Sequence, residues 1–143
     1  MGYKSSIKMK NKFSNKWIGS RQRRKQRKYR VNAPLHVKHK MMAANLSEEL
    51  SKKYNRGAFP IRKGDNVKVI DGKFKGKTGK VSDVDTKKMK VSIEGIQTSK
   101  RDGTKVNISF FPSKLQIQEL ILEDKKRVEA LSRSKKEDKE AKK

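Results

Sequence analysis

Cysteine is absent from the chain, which removes disulfides, thiolate nucleophiles and most structural zinc sites. Acid is scarce: 15 Asp plus Glu stand against 40 Lys plus Arg, a formal net charge of +25 over 143 residues. Aromatic residues make up only 6% and hydrophobic residues 31%. They are clustered, so the expected core is small, one domain of about sixty residues, near the lower size at which a chain folds alone. No run of eighteen apolar residues occurs, the N-terminus has no apolar signal core, and the basic segments carry no apolar face. Membrane spanning and membrane-surface binding are therefore not expected, and the protein reads as soluble and intracellular.

A positive surplus of this size repels itself in a globule and points to a polyanionic partner, nucleic acid before membrane. The surplus is uneven. Residues 1–30 hold twelve Lys or Arg and no acid, whereas residues 61–120 hold fourteen basic and seven acidic residues. Arg21-Gln22-Arg23-Arg24-Lys25-Gln26-Arg27-Lys28 is almost continuous charge without a hydrophobic period. Alone, such a segment cannot bury enough apolar surface to offset backbone ordering of roughly 1–2 kcal/mol per residue, so it is expected to be disordered until a partner orders it.

The pattern divides the chain into a basic arm (1–31), short helices (32–60), a barrel (61–120) and a charged extension (121–143). Asn32-Ala33-Pro34 reads as an N-cap and first turn of a helix reaching about Met42. A second helix begins at Asn45 or Ser47, with Glu48 and Glu49 at its positive end, and stops at Gly57 and Pro60. Leu46, Leu50 and Tyr54 are placed on one face of it. From Ile61 the period becomes two: Val67 and Val69, Gly79 to Val84, Met89 to Ile93, Val106 to Phe110, and Leu115 with Ile117. Turns fall at Asp71-Gly72, Asp85 to Lys88 and Asp102-Gly103. Five short strands joined by hairpins predict a mainly β fold, a small SH3-like barrel whose closure hides its edges, with short N-terminal helices and long basic extensions. After Leu122 a frayed helix is expected, with Val128 and Leu131 as its last apolar pair.

Ile61 to Lys88 resembles the KOW motif, in Gly64-Asp65 opening a strand, the Val67/Val69 alternation, Gly72, Phe74-Lys75-Gly76, Gly79 and Val81. Its glycines permit positive φ and close backbone approach, and Lys73, Lys75 and Lys77 crowd the hairpin tip. The resemblance extends through Asn32-Ala33-Pro34-Leu35-His36, Leu46-Ser47-Glu48-Glu49-Leu50, Pro60-Ile61-Arg62-Lys63-Gly64-Asp65, Asp102-Gly103-Thr104 and Pro112-Ser113. Over Ser20 to Leu120 the chain is similar to the archaeal and eukaryotic family of large-subunit ribosomal proteins numbered twenty-four in the universal scheme. The ungapped Gly76-Lys77-Thr78-Gly79 is closer to the archaeal form. The resemblance implies a non-enzymatic, cytoplasmic constituent of the large ribosomal subunit that binds the 5′ part of large-subunit rRNA. It also implies neighbouring ribosomal proteins as partners, an early role in assembly and a place beside the polypeptide exit tunnel.

The candidate rRNA contacts on the arm are Arg21, Arg23, Arg24, Lys25, Arg27, Lys28, Tyr29 and Arg30, since Arg forks onto phosphate and both Arg and Tyr stack on bases. Asn32, His36, Lys38, His39, Lys40 and Arg56 follow on the helical segment. Arg62, Lys63, Lys73, Lys75, Gly76, Lys77, Lys80, Ser113 and Lys114 complete the set on the barrel. Trp17 is a candidate anchor against RNA or protein.

Other chemistry fails on its own terms. Gly76-Lys77-Thr78 copies the end of a phosphate-binding loop, but Asp71 stands where the first Gly belongs and a strand follows instead of a helix. His36 and His39 supply two imidazoles without a third ligand nearby. Asp83 and Asp85 fit turn chemistry better than acid–base work. A transcription elongation factor also uses KOW barrels, but residues 1–60 are too short and too charged for the separate α/β domain that precedes the barrel there. No catalytic residue, metal, cofactor or small-molecule substrate is expected.

Overall fold

A computed structural model describes residues 13–140, with side chains described through residue 133. The first twelve residues of the expected arm and the last three of the extension lie outside the described residues. In order, a 3₁₀ turn at Asn15–Gly19 leads to α1 (Arg23–Asn32), α2 (Leu35–Met41), β1 (Ala43–Leu46), α3 (Glu48–Tyr54) and β2 (Ala58–Pro60). The strands β3 (Asn66–Val69), β4 (Thr78–Asp85), β5 (Lys90–Ser99) and β6 (Lys105–Phe110) follow. A 3₁₀ turn at Pro112–Lys114, β7 (Leu115–Glu119) and α4 (Lys125–Glu140) complete the chain.

The five expected strands are β3 to β7. Their alternation places Val67, Val69, Val81, Val91, Ile93, Leu115 and Ile117 inside, because successive side chains of a strand point to opposite faces. Two strands carry no readable alternation: β1 is Ala-Ala-Asn-Leu and β2 is Ala-Phe-Pro. They form because β1 runs parallel to β7 at Leu46 and Ile117 and antiparallel to β2 at Ala44 and Phe59, burying Ala44, Leu46 and Phe59 in the same core. The sheet order is β2-β1-β7-β3-β4-β5-β6. The mainly β, SH3-like fold is the expected one; among the described residues no pairing joins β2 to β6, so the ladder does not itself close over its edges.

Ser47 caps α3, its hydroxyl accepting from Leu50 N at 3.4 Å, and Asn55 ends it in the left-handed region at φ 51°. Leu46 therefore lies on a strand, while Leu50 and Tyr54 pack against the core from α3. Asn32 closes α1, and Pro34 occupies the cap of α2 where Asn32 was expected.

The C-terminal segment is more than a frayed extension. Leu131 is 1% exposed and belongs to the core, and Arg127 is buried. The Arg127 guanidinium forks onto the buried Asp65 carboxylate, with Nη1 to Oδ1 at 2.7 Å and Nη2 to Oδ2 at 2.6 Å. Asp65 also accepts from Arg62 N and Ile121 N, and Arg127 donates to the carbonyls of Ile121 and Pro60. Both carboxylate oxygens and both terminal guanidinium nitrogens thus have partners, and among the described residues no buried side-chain nitrogen or oxygen lacks one, the condition for burying charge. Gly64, at φ +92°, sits under the side chain of Ile121, and a Cβ there would overlap Ile121 Cδ1.

Candidate nucleic-acid interface

The arm holds a helix where a partner-dependent disordered segment was expected, and its anchoring explains why. Gln26 reaches back from α1 and donates through Nε2 to the carbonyls of Trp17, Ile18 and Ser20 at 2.7–3.0 Å. One turn on, Tyr29 is 8% exposed and stacks on Phe13 with ring centroids 5.2 Å apart. Gln26 and Tyr29 thus face inward at helical spacing. Arg23, Arg24, Lys25, Arg27, Lys28 and Arg30 are all exposed, with Arg21 just before them. The pattern escaped a hydrophobic-period reading because the inward face is one glutamine and one tyrosine. Tyr29 itself corrects an expectation: its ring is covered by protein and holds the helix in place, which leaves it little surface for stacking on a base. Trp17 is half-buried, with its carbonyl accepting from Gln26 and from Ser20 N.

A second group of candidates meets at a cleft of about 480 Å³ where α2, β2 and β4 converge, lined by His39, Arg62 and Lys63 together with Asp83 and Thr86. His36 and Lys40 line another cleft, with Asn15 and Tyr29. The two histidines therefore serve different surfaces despite their spacing, and among the described residues no group of three metal-ligating side chains occurs. Lys38 is half-buried on α2 and Asn32 is exposed at the end of α1. Arg56 lies over the Phe59 ring at 5.8 Å, beside Arg127 at 5.4 Å from the same ring, so part of its role is packing. Arg62 forms an ion pair with Asp124 at 2.7 Å.

The third group is the β3–β4 hairpin. Lys73, Lys75, Lys77 and Lys80 are exposed, and the loop that carries them is tied down from within. Gly76 N donates to Val69 O at 2.8 Å, Lys77 N to Phe74 O at 3.1 Å, and Val69 N to Lys77 O at 2.9 Å. Gly72 and Gly76 adopt φ +100° and +88°, the conformation for which glycine is needed. Gly76 has open space beside its Cα but its N–H is already engaged, so it shapes the loop and does not offer that N–H to phosphate. Phe74 packs edge-on to Phe110 at 6.2 Å, and Lys77 lies over the Phe74 ring at 5.3 Å. Lys114 pairs with Asp71 at 3.2 Å; its ammonium, through hydrogen bond and charge, holds the Asp71 carboxyl below the ordinary value. Ser113 is exposed beside it. Asp85 does what turn chemistry asked of it: Oδ1 accepts from Lys87 N and Lys88 N, and the Lys88 N–H above all lowers its pKa.

Three sets of outward cations on the arm, the cleft and the hairpin have the chemistry to face a polyanion, and comparison with known families shows which family the chain falls in. The family of ribosomal proteins described as L26 in eukaryotes and L24 in archaea matches residues 20–134. The chain belongs to this family. Membership makes the L26/L24 chain a structural ribosomal protein and not an enzyme. The match runs past Leu120, where the sequence resemblance stopped, and takes in Arg127 and Leu131. Relatives named large ribosomal subunit protein uL24 include one from Methanosphaera stadtmanae, 44% identical over 114 residues, 80% of this chain and 97% of the relative. One from Korarchaeum cryptofilum is 48% identical over 109 residues, 76% of this chain and 83% of the relative. Another from Methanocella arvoryzae is 47% identical over 116 residues, 81% and 94% respectively.

Proposed function

We propose that this member of the ribosomal L26/L24 family is a cytoplasmic constituent of the large ribosomal subunit that binds large-subunit rRNA, early in assembly and beside the polypeptide exit tunnel. The observation that carries rRNA binding is α1: six cations exposed on a helix that Gln26 and Tyr29 tie to the turn preceding it, in a stretch where no acid precedes Glu48. Fixed guanidinium groups lose less freedom on meeting phosphate than those of a floppy arm. The His39-Arg62-Lys63 cleft and the lysines of the β3–β4 hairpin add contacts on the rigid barrel. Recognition of this kind follows backbone position and RNA shape more than base identity. Neighbouring ribosomal proteins are the second class of partner. The early role and the tunnel-side position rest on the family resemblance.

Sedimentation of a cell extract on a sucrose gradient tests the reading. The chain is expected with the large subunit and with its early precursors, and hydroxyl-radical footprints of those particles should place α1 and the hairpin on the 5′ part of the rRNA. Recovery with RNA polymerase and absence from ribosomal particles would falsify it.

A further inference from the structure

Phe110 and Phe111 are neighbours with opposite surroundings. Strand alternation buries Phe110 against Phe74, while Phe111 stays 50% exposed. A single exposed phenylalanine is ordinary, but this one opens onto a cleft of about 440 Å³ between the arm and the barrel. Ile18, Tyr29 and Arg30 line the arm side, and Met89, Phe111 and Ser113 the barrel side. Ile18 is itself 67% exposed. The Lys90 ammonium stands over the Phe111 ring at 5.6 Å, and no acidic side chain lines the cleft.

Apolar walls, a half-exposed aromatic ring, one cation in the lining with a second over that ring, and a hydroxyl suit one kind of guest. An unstacked nucleobase offers a flat π surface to Phe111, hydrogen-bonding edges to Ser113 and Arg30, and its own phosphate to Lys90. A paired base inside a duplex presents none of these faces together. We propose that this cleft takes up a single unpaired nucleobase of RNA. The proposal rests on the RNA-binding reading and adds to it a base-directed contact that phosphate recognition alone does not supply. An apolar side chain of a neighbouring protein would fill the same walls, yet it leaves Lys90 and Arg30 without an anion.

The test uses the full chain, an oligoadenylate of about ten nucleotides, within the usual site sizes for single strands, and an abasic oligonucleotide of equal length. Phe111→Ala is expected to weaken oligoadenylate binding by about 5- to 100-fold, the worth of one stacked base. Binding of the abasic chain and the slope of affinity against salt should not change, because no cation is removed. Phe111→Tyr, which keeps the ring, should bind as the parent does. Equal effects of Phe111→Ala on both oligonucleotides, or a parent protein that does not distinguish them, overturns the proposal while phosphate-directed binding to rRNA stands. Loss of parent binding to both oligonucleotides and to large-subunit rRNA overturns the RNA reading as well. In purified large subunits, a photo-crosslinking amino acid at position 111 should join RNA; adducts to protein alone would assign the cleft to a neighbouring protein and overturn the proposal.

Discussion

Asp65 shows how one residue of the recognised motif depends on a residue outside it. Its carboxylate is fully buried and takes four hydrogen bonds, two of them from Arg127. Removing one partner leaves an uncompensated charge in the interior, which costs about 3–5 kcal/mol. Arg127→Met should therefore lower the free energy of unfolding by about that amount in urea melts, and Asp65→Leu combined with Arg127→Met should cost less than the sum of the single changes. A loss below about 1 kcal/mol for Arg127→Met would mean that water reaches the pair. Glycines give a second residue-scale prediction. A Cβ at Gly79 would stand 2.8 Å from both Glu94 O and Ile93 Cγ2, whereas one at Gly57 meets nothing within 4 Å. Gly79→Ala is expected to destabilise by about 1–3 kcal/mol, as overpacking does, and Gly57→Ala to stay within about 0.5 kcal/mol of the parent. Acid titration follows from Asp71, Asp85, Asp102 and Asp124, each held below its ordinary value by hydrogen bonds or neighbouring cations. A depressed folded-state pKa contributes stability above the unfolded value and loses it as pH falls through the folded one. Urea midpoints should therefore be flat near neutrality and decline only below about pH 4, the unfolded carboxylate range; a decline beginning near pH 6 would implicate other groups.

Elements with their own period were legible and those that borrow their stability were not. The alternation of Val67/Val69, Val91/Ile93 and Leu115/Ile117 located the barrel because each strand buries one face by itself. Ser47, Glu48 and Glu49 marked the start of α3 for the equally local reason that a cap acts within one turn. In contrast, β1 and β2 exist through pairing with β7 and with each other, and α1 through a glutamine bonding back to three carbonyls. Of the candidate interface, the cations were legible from charge alone, but their grouping was not, since it depends on where α2 crosses β2 and β4. Phe111 left a faint signal: if Phe110 faces in, its neighbour must face out. After Leu120 a helix with Val128 and Leu131 was legible, but not the burial of Leu131 and Arg127, because one leucine and one arginine set four apart are too few to register as a period. Limited trypsin digestion checks the element scale. The resistant fragment is expected to continue past Leu120 and include Leu131, with Leu131→Ala costing about 2–5 kcal/mol as a buried truncation does. A stable fragment ending at Leu120 would show that α4 is dispensable.

Across the whole molecule, arm and barrel contribute to RNA binding in separable ways. Each phosphate neutralised releases counterion, with a slope of about −0.7 to −0.9 in log affinity against log salt per contact. Deleting residues 1–30 removes twelve cations, and if about half touch phosphate the slope should become shallower by about 4–5 units. Lys73→Ala, Lys75→Ala and Lys77→Ala together should flatten it by no more than about 2–3 units, yet weaken discrimination of the cognate site, because the hairpin is held on a rigid frame. Filter binding across a salt series reads both, and equal slopes for the parent and the deletion would show that the arm's charge stays solvated. The pairing of Asp65 with Arg127, 62 residues later, also carries a schedule. At a synthesis rate of about 5–20 residues per second, the carboxylate waits roughly 3–12 s for its counter-charge after it is made. Until then the barrel must either leave Asp65 in water or bury it alone, and the second choice is closed by its cost. A nascent chain halted before residue 127 should accordingly remain open to protease at β3, and addition of the missing helix should close it.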